Sequence, residues 1–323
     1  MNPGIMLMPN TRRSFLQSSA AVAASLAGAA STINAQGTGQ GRAAAPLKPA
    51  SEVQVPKMKF FHVQIGRVVL GVNPLYGFAH YNNNFGAAMK EWYTQDRVCE
   101  VMHQSTRFGI DAFNYVDMDR APRDWARFQA EGGKMHLIIQ VTAGDDAAAL
   151  VKRLKPLALQ RQGEVVDKAY QNGGMASVKE WCKRVRDMGV LVGVGTHKPE
   201  VIRQVEEEGW DVDFYAGCVY NRTRTAEEWK QALNGETLEM PHDIYLKSDP
   251  PRMYRVMRQT RKPCFAFKIL AAGRIPDSGV EQAFRTAFES IKPTDGVYVG
   301  MFPRVKDEVR ENSEIVHRIL ARS

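Results

Sequence analysis

The stretch CFAFKIL, residues 264–270, sets one lysine into a run apolar enough for a buried strand, and Ala271, Ala272 and Gly273 follow at once. An ammonium there either closes an ion pair at the edge of a core or reaches into a reaction site as a base, a Schiff-base nucleophile or an electrophile toward a carbonyl. His197, at the end of VLVGVGTH, is a second group able to move protons near neutrality. His80, in NPLYGFAH, is a third. Each also has a plain structural reading: an ion-pair lysine, a satisfied core histidine, a loop histidine.

Alternation aims two of them. Gly193, Gly195 and His197 fall on one face of their run and Val192 and Val194 on the other, while Ala266 and Lys268 share a face opposite Phe265, Phe267 and Ile269. If the small residues mark a tight interior, His197 and Lys268 both point into it, and the AAG patch leaves room for a ligand beside the lysine.

The elements that must carry these groups alternate regularly. Eight β-rich runs occur at 67–72, 111–116, 135–141, 156–160, 190–195, 212–219, 264–270 and 296–302, with mostly amphipathic helical patterns between them and after the last. Several of these patterns end in glycine, as helix C-termini do. Such alternation implies parallel strands whose crossover helices cover the outside, and eight units predict an α/β chain folded as a (β/α)8 TIM barrel. A doubly wound open sheet is the alternative, but no GxGxxG follows the first run. The fourth run is the weakest, and residues 221–262 form the largest insertion.

In a barrel the site lies at the C-terminal ends of the strands. Lys268 and His197, with Asn114 and Tyr115, are therefore the catalytic candidates. Asn73, Tyr76, His80, Gln140, Gln160, Gln162 and Asn221 are the substrate-binding ones. A divalent metal held by His80, His197 and Asp117 is an open alternative, although no HxH or HExxH spacing supports it.

Composition bounds the rest. Hydrophobic residues make up 44% and charged residues 24% of the 323, ordinary values for a folded soluble chain. The net charge of +8 is spread among acids as in KEWCKRVRD, and no nucleic-acid-binding signature appears, so no nucleic-acid partner is expected. The four cysteines are far apart with no CxxC and suggest no disulfide framework. At the N-terminus, Arg12 and Arg13 precede a short Ala-rich apolar stretch, a twin-arginine signal pattern. The expected organisation is a signal over 1–35, a Gly/Ala/Pro-rich linker over 36–56 and the barrel over 57–323, exported to the periplasm by the twin-arginine machinery without a stable membrane span after cleavage.

Five segments, GVNPLYGFAH, FGIDAFNY, GVLVGVGTHKPEVI, FAFKILAAGRI and YVGMFPRVKDEVRENSEIV, make most of residues 65–320 resemble the aldo-keto reductase superfamily, in particular its divergent exported barrels. The resemblance implies a site for NADP after the eighth strand, where a lysine and an arginine grip the 2′-phosphate. Phe302 and Glu308 stand at those positions, although Glu311 and Asn312 are kept, so NADP is not expected to bind. The family's catalytic tetrad is also missing: Asn114 stands at its aspartate, Asp119 at its tyrosine, Gln140 and Val141 offer no lysine, and glutamines replace its histidine.

A mouth rich in Asn, Gln, His and Tyr around a lysine suits a polyhydroxylated, carbonyl-bearing ligand. The expected function is that of an exported lyase, isomerase or hydratase acting on a sugar or keto-sugar derivative. The alternatives are an aldo-keto reductase-like oxidoreductase with an unusual nicotinamide mode and a non-catalytic periplasmic sugar-binding barrel.

Overall fold

Short runs of Val, Ile, Leu and Phe between amphipathic segments leave each strand apolar on both faces, which only a sheet covered outside and filled inside can bury. The computed structural model describes residues 47–236 and 243–321; the expected signal and most of the expected linker lie outside the described residues. Every element below belongs to the unit formed by residues 48–323.

Two strands, β1 (Lys57–Phe60) and β2 (Val63–Gly66), form an antiparallel hairpin. Eight further strands follow: β3 (Val68–Gly71), β4 (Ala112–Tyr115), β5 (His136–Val141), β6 (Ala158–Arg161), β7 (Leu191–Thr196), β8 (Phe214–Cys218), β9 (Cys264–Phe267) and β10 (Gly296–Val299). They pair in parallel in chain order and close into a barrel when β10 bonds to β3. The fold is a (β/α)8 TIM barrel, as the alternation predicts.

The helices are α1 (Asn83–Trp92), α2 (Gln95–Arg107), α3 (Ala121–Ala130), α4 (Ala147–Leu154), α5 (Gly163–Gln171), α6 (Met175–Asp187), α7 (Pro199–Glu207), α8 (Ala226–Ala232), α9 (Asp249–Gln259), α10 (Val280–Ser290) and α11 (Glu308–Leu320). Local chemistry starts several of them. Thr94 accepts from the Arg97 N–H before α2, and Thr225 and Glu228 form a reciprocal capping box on α8. The buried stripe of α2, Val98, Val101 and Met102, packs into the outer core, each such side chain stabilising the fold by about 1.5–3 kcal/mol.

Strand alternation divides the core in two. Val68, Leu70, Phe113, Leu137, Leu159, Val192 and Val194 face the helices, whereas Val69, Ala112, Ile138, Ala158, Phe214, Phe265 and Tyr298 fill the barrel. Gly193 faces inward, as expected, because a Cβ there would come within 2.2 Å of the Phe214 ring. The β1–β2 hairpin, absent from the sequence reading, adds Met58, Phe60 and Ile65 to the inner core. Phe60 is fully buried and meets Phe214 and Phe265 edge-to-face, both at 5.4 Å, so the hairpin closes the N-terminal end of the barrel.

Strand β9 corrects one expectation. Ala266 faces the outer helices, and Phe265 and Phe267 face inward, the reverse of the assignment made from small residues. Lys268 still reaches the interior because the strand stops at Phe267 and Lys268 takes a left-handed backbone, φ 61°, which breaks the two-residue alternation. A second difference lies before β1. Val53 and Val55 are buried, and the Val55 N–H donates to the Phe108 carbonyl at 2.8 Å, so packing begins inside the segment read as linker.

Candidate active site

The innermost residues at the C-terminal ends of the strands are Gly71, Asn114, Gln140, Gln160, Phe267 and Gly300, and they floor a cavity of about 340 Å³. Each follows an inward residue by two positions, as a pleated strand requires. The Gln140 amide donates to Asn114 Oδ1 at 2.7 Å, and the buried Tyr298 hydroxyl donates to Gln160 Oε1 at 3.0 Å. These bonds fix the amide planes and leave further N–H groups of Gln140 and Gln160 for a ligand.

Lys268 lines this cavity. Its carbonyl accepts from the Ala271 N–H at 2.8 Å, but its side-chain nitrogen makes no hydrogen bond or ion pair among the described residues. Burial, and then the neighbouring Arg222 guanidinium, push its ammonium down to about 7. A large part of the lysine is therefore the free amine at neutral pH. The turn that aims it continues through Ala271 and Ala272, both also left-handed, at φ 48° and 51°.

His80 borders the cavity with Asn73. The Asn73 amide donates to His80 Nε2 at 3.0 Å, which leaves the Nδ1–H for Asp243 Oδ2, also at 3.0 Å. Burial lowers the His80 pKa, against the pull of Asp243, and the ring is neutral. Asp243 also receives Arg222 through two bonds of 2.5 and 2.8 Å. Burial acts to raise this carboxyl, but the bonds from His80 and Arg222 hold it well below its ordinary range. The insertion between β8 and α9 is thereby latched to the loop after β3 across the mouth.

His197 does not line the cavity. It is 4% exposed, with Nδ1 at 2.6 Å from Asp167 Oδ2 on α5 and Nε2 at 3.4 Å from Arg222 Nη1. Since guanidinium only donates, Nε2 accepts and the Nδ1–H goes to Asp167. Thr196 and Thr223 hydroxyls and the His197 backbone N–H complete the carboxylate's partners. His197 thus stands between Asp167 and Arg222, off the cavity wall where the alternation of its strand would put it.

Other expected site residues are also placed elsewhere. Tyr115 lies on the outer face of β4 and donates to Asp117 at 2.7 Å, and Asp117 is further held by Arg153 at 2.6 Å. The Tyr76 hydroxyl donates to Asp124 of α3 at 3.2 Å, away from the mouth. Gln162 precedes α5 and does not reach the cavity. Asn221 is buried in the loop after β8, where its backbone N–H donates to Asp249 and its side chain accepts from Thr223. Among the described residues no three His, Cys, Asp or Glu side chains converge on a metal position, so His80, His197 and Asp117 are not brought together.

The far wall of the cavity comes from the β10–α11 loop, the segment the resemblance links to NADP. Glu308, in the first turn of α11, accepts the Phe302 N–H at 2.7 Å, and burial raises its carboxyl pKa against that bond. Lys306 is engaged by Asp277 at 3.0 Å and Glu311 at 2.9 Å. A carboxyl at the helix N-terminus and a lysine already held by two acids do not fit a 2′-phosphate.

Tyr298, Asp167, Arg222 and Asp243 line or brace the cavity and are not among the residues that the sequence points to. Tyr298 was accessible to reasoning, since it alternates with Gly296 and Gly300 in GVYVG. Asp243 carried no signal, because an insertion has no periodicity to place it.

No family model matches the chain, and no curated protein matches it. Solved structures similar to it include a truncated 3-deoxy-D-arabino-heptulosonate 7-phosphate synthase from Thermotoga maritima, with 12% identity, 83% of this chain and 92% of that chain covered, and a TM-score of 0.48. An aldo/keto reductase from Brucella melitensis is 11% identical, with 86% and 99% covered and a TM-score of 0.44. A glycerol dehydrogenase from Gluconobacter oxydans is 13% identical, with 82% and 95% covered and a TM-score of 0.42. The barrel assignment rests on the chain's own strand pairing.

Proposed function

We propose that this barrel is an enzyme acting on the carbonyl of a small polar molecule, a sugar or keto-sugar derivative, by proton transfer. One observation carries the reading: an amine with no protein partner, held near pKa 7, sits in a cavity floored by amides. In this mechanism the free Lys268 Nζ takes a proton from the carbon beside the carbonyl. The remaining N–H groups of Gln140 and Gln160 favour the negative oxygen that develops. The Asn73 amide lies within the same cavity for hydroxyl groups, while both ring nitrogens of neutral His80 are already engaged by Asn73 and Asp243. The outcome is an isomerisation or an elimination, according to which bond the resulting enolate reforms or breaks. Export by the twin-arginine route, read from Arg12 and Arg13, is part of the proposal.

Incubation of the protein with keto-sugars in deuterated water tests it directly. Deuterium should enter at the carbon beside the carbonyl, and Lys268→Met should abolish the exchange. Exchange that persists in that variant removes the lysine from the chemistry.

A second reading, a carbonyl oxidoreductase with an unusual nicotinamide mode, is favoured by the course of the cavity. It runs on from Lys268 past Gly300 to Phe302 and Asn312, the segment that carries the family resemblance. Titration with NADH separates the readings: saturable binding together with substrate-dependent oxidation supports this one.

A further inference from the structure

The cavity has two ends of different chemistry. Its inner end presents Lys268 and the amides of Asn114, Gln140 and Gln160, while its outer end is walled by Phe85, Ile275, Val280 and Phe302. Phe302 is fixed edge-on by Phe85 at 5.6 Å and Trp92 at 5.5 Å, which leaves the ring a rigid apolar surface. At the rim Phe78 is 48% exposed, a large aromatic without full cover. The outer end has no free cation among the described residues: Lys306 is held by Asp277 and Glu311, and Glu308 turns its carboxyl inward.

We infer that the substrate carries, beyond its carbonyl-bearing head, a neutral flat group of aryl type that lies against the edge-to-face pair of Phe85 and Phe302. The head rests on the proposed carbonyl chemistry; the tail rests on the cavity walls alone. Such a group gains by leaving water and by offset or edge contact with the two rings. A phosphate there would meet the carboxyl groups of Asp277 and Glu308 and lose its hydration, with Lys306 already held by Asp277 and Glu311 as the cation at that wall. The substrate class is thus an aryl-bearing sugar conjugate, and a sugar phosphate is selected against.

Calorimetric titration of the full chain with phenyl β-glucoside, methyl β-glucoside and glucose 6-phosphate provides the test. The phenyl glycoside should bind about tenfold or more tightly than the methyl glycoside, the scale of burying one ring. Phe302→Ala should erase that advantage. Ile275→Glu, at the rim, should do the same should the first variant fail to fold. Equal affinities for the two glycosides, no binding of the phenyl glycoside, or tighter binding of the phosphate overturns the inference. Lys268→Met should keep the aryl preference while losing deuterium exchange, so a failure of the head-group chemistry is read separately from a failure of the aryl site.

Discussion

His197 stands between Asp167 and Arg222, with Nδ1 2.6 Å from the carboxylate and Nε2 3.4 Å from the guanidinium. Both ring nitrogens are therefore committed before any substrate arrives. His197→Ala should leave Asp167 short of one buried donor and cost about 1–3 kcal/mol of stability. The folded fraction should keep most of its turnover. A large loss of activity at an unchanged thermal midpoint would return the histidine to the mechanism.

Lys268→Met should behave in the opposite way. Removing a group that acts on the transition state should lower the rate by about a hundredfold or more. The thermal midpoint should hold or rise, since a half-buried ammonium whose side chain has no partner among the described residues is lost. Steady-state kinetics and thermal unfolding on the same preparation check both halves.

The lysine also sets a pH dependence. Its folded value of about 7 lies below its ordinary 10.5, so between these values the unfolded chain binds more protons and stability due to this residue rises with pH. Below about 7 both states are charged and the burial penalty is fully present. The stability gain of Lys268→Met over the wild type should thus be largest on the acid side and shrink toward about pH 10. Catalysis by the free amine should rise with pH through about 7. A gain that does not vary with pH would show that the lysine is not held low.

NADPH should not saturate the protein at low micromolar concentration, because the buried Glu308 carboxyl and the Phe302 ring wall this end of the cavity and Lys306 is held by two acids. Protein fluorescence follows the titration. Saturation in that range would reinstate the reductase chemistry.

Replacing Arg12 and Arg13 by lysine should stop the chain from reaching the periplasm, since the arginine pair is what the export receptor reads. Cell fractionation decides it, and undiminished export of the variant rejects the signal.

The barrel was legible because its eight strands are bounded by glycines and amphipathic helices whose periods differ plainly from theirs. Asn114, Gln140 and Gln160 were legible for the same reason: two-residue alternation within a strand carries through to its end. Lys268 points inward for a different reason than alternation suggests. Small residues suggest the interior of β9, whereas large rings fill the barrel there and a left-handed residue turns the lysine inward. Tyr76, Gln162 and Asn221 lie beyond the strands, where alternation no longer says which way a side chain points, whereas Tyr115 follows the inward Asn114 on β4 and by that same alternation faces outward. The Asp167 partnership was hidden because α5 follows β6 almost at once, and no spacing in the sequence reveals that its fifth residue meets a histidine 30 positions later.

Phe60, seated under the barrel with Phe214 and Phe265, turns the interior into a cul-de-sac. A molecule that enters at the mouth cannot be pushed out through the floor, so product must retreat along the path that the next substrate takes. Traffic is then single-file. Accumulated product should compete with substrate for the doorway and raise the apparent KM while leaving the limiting rate untouched.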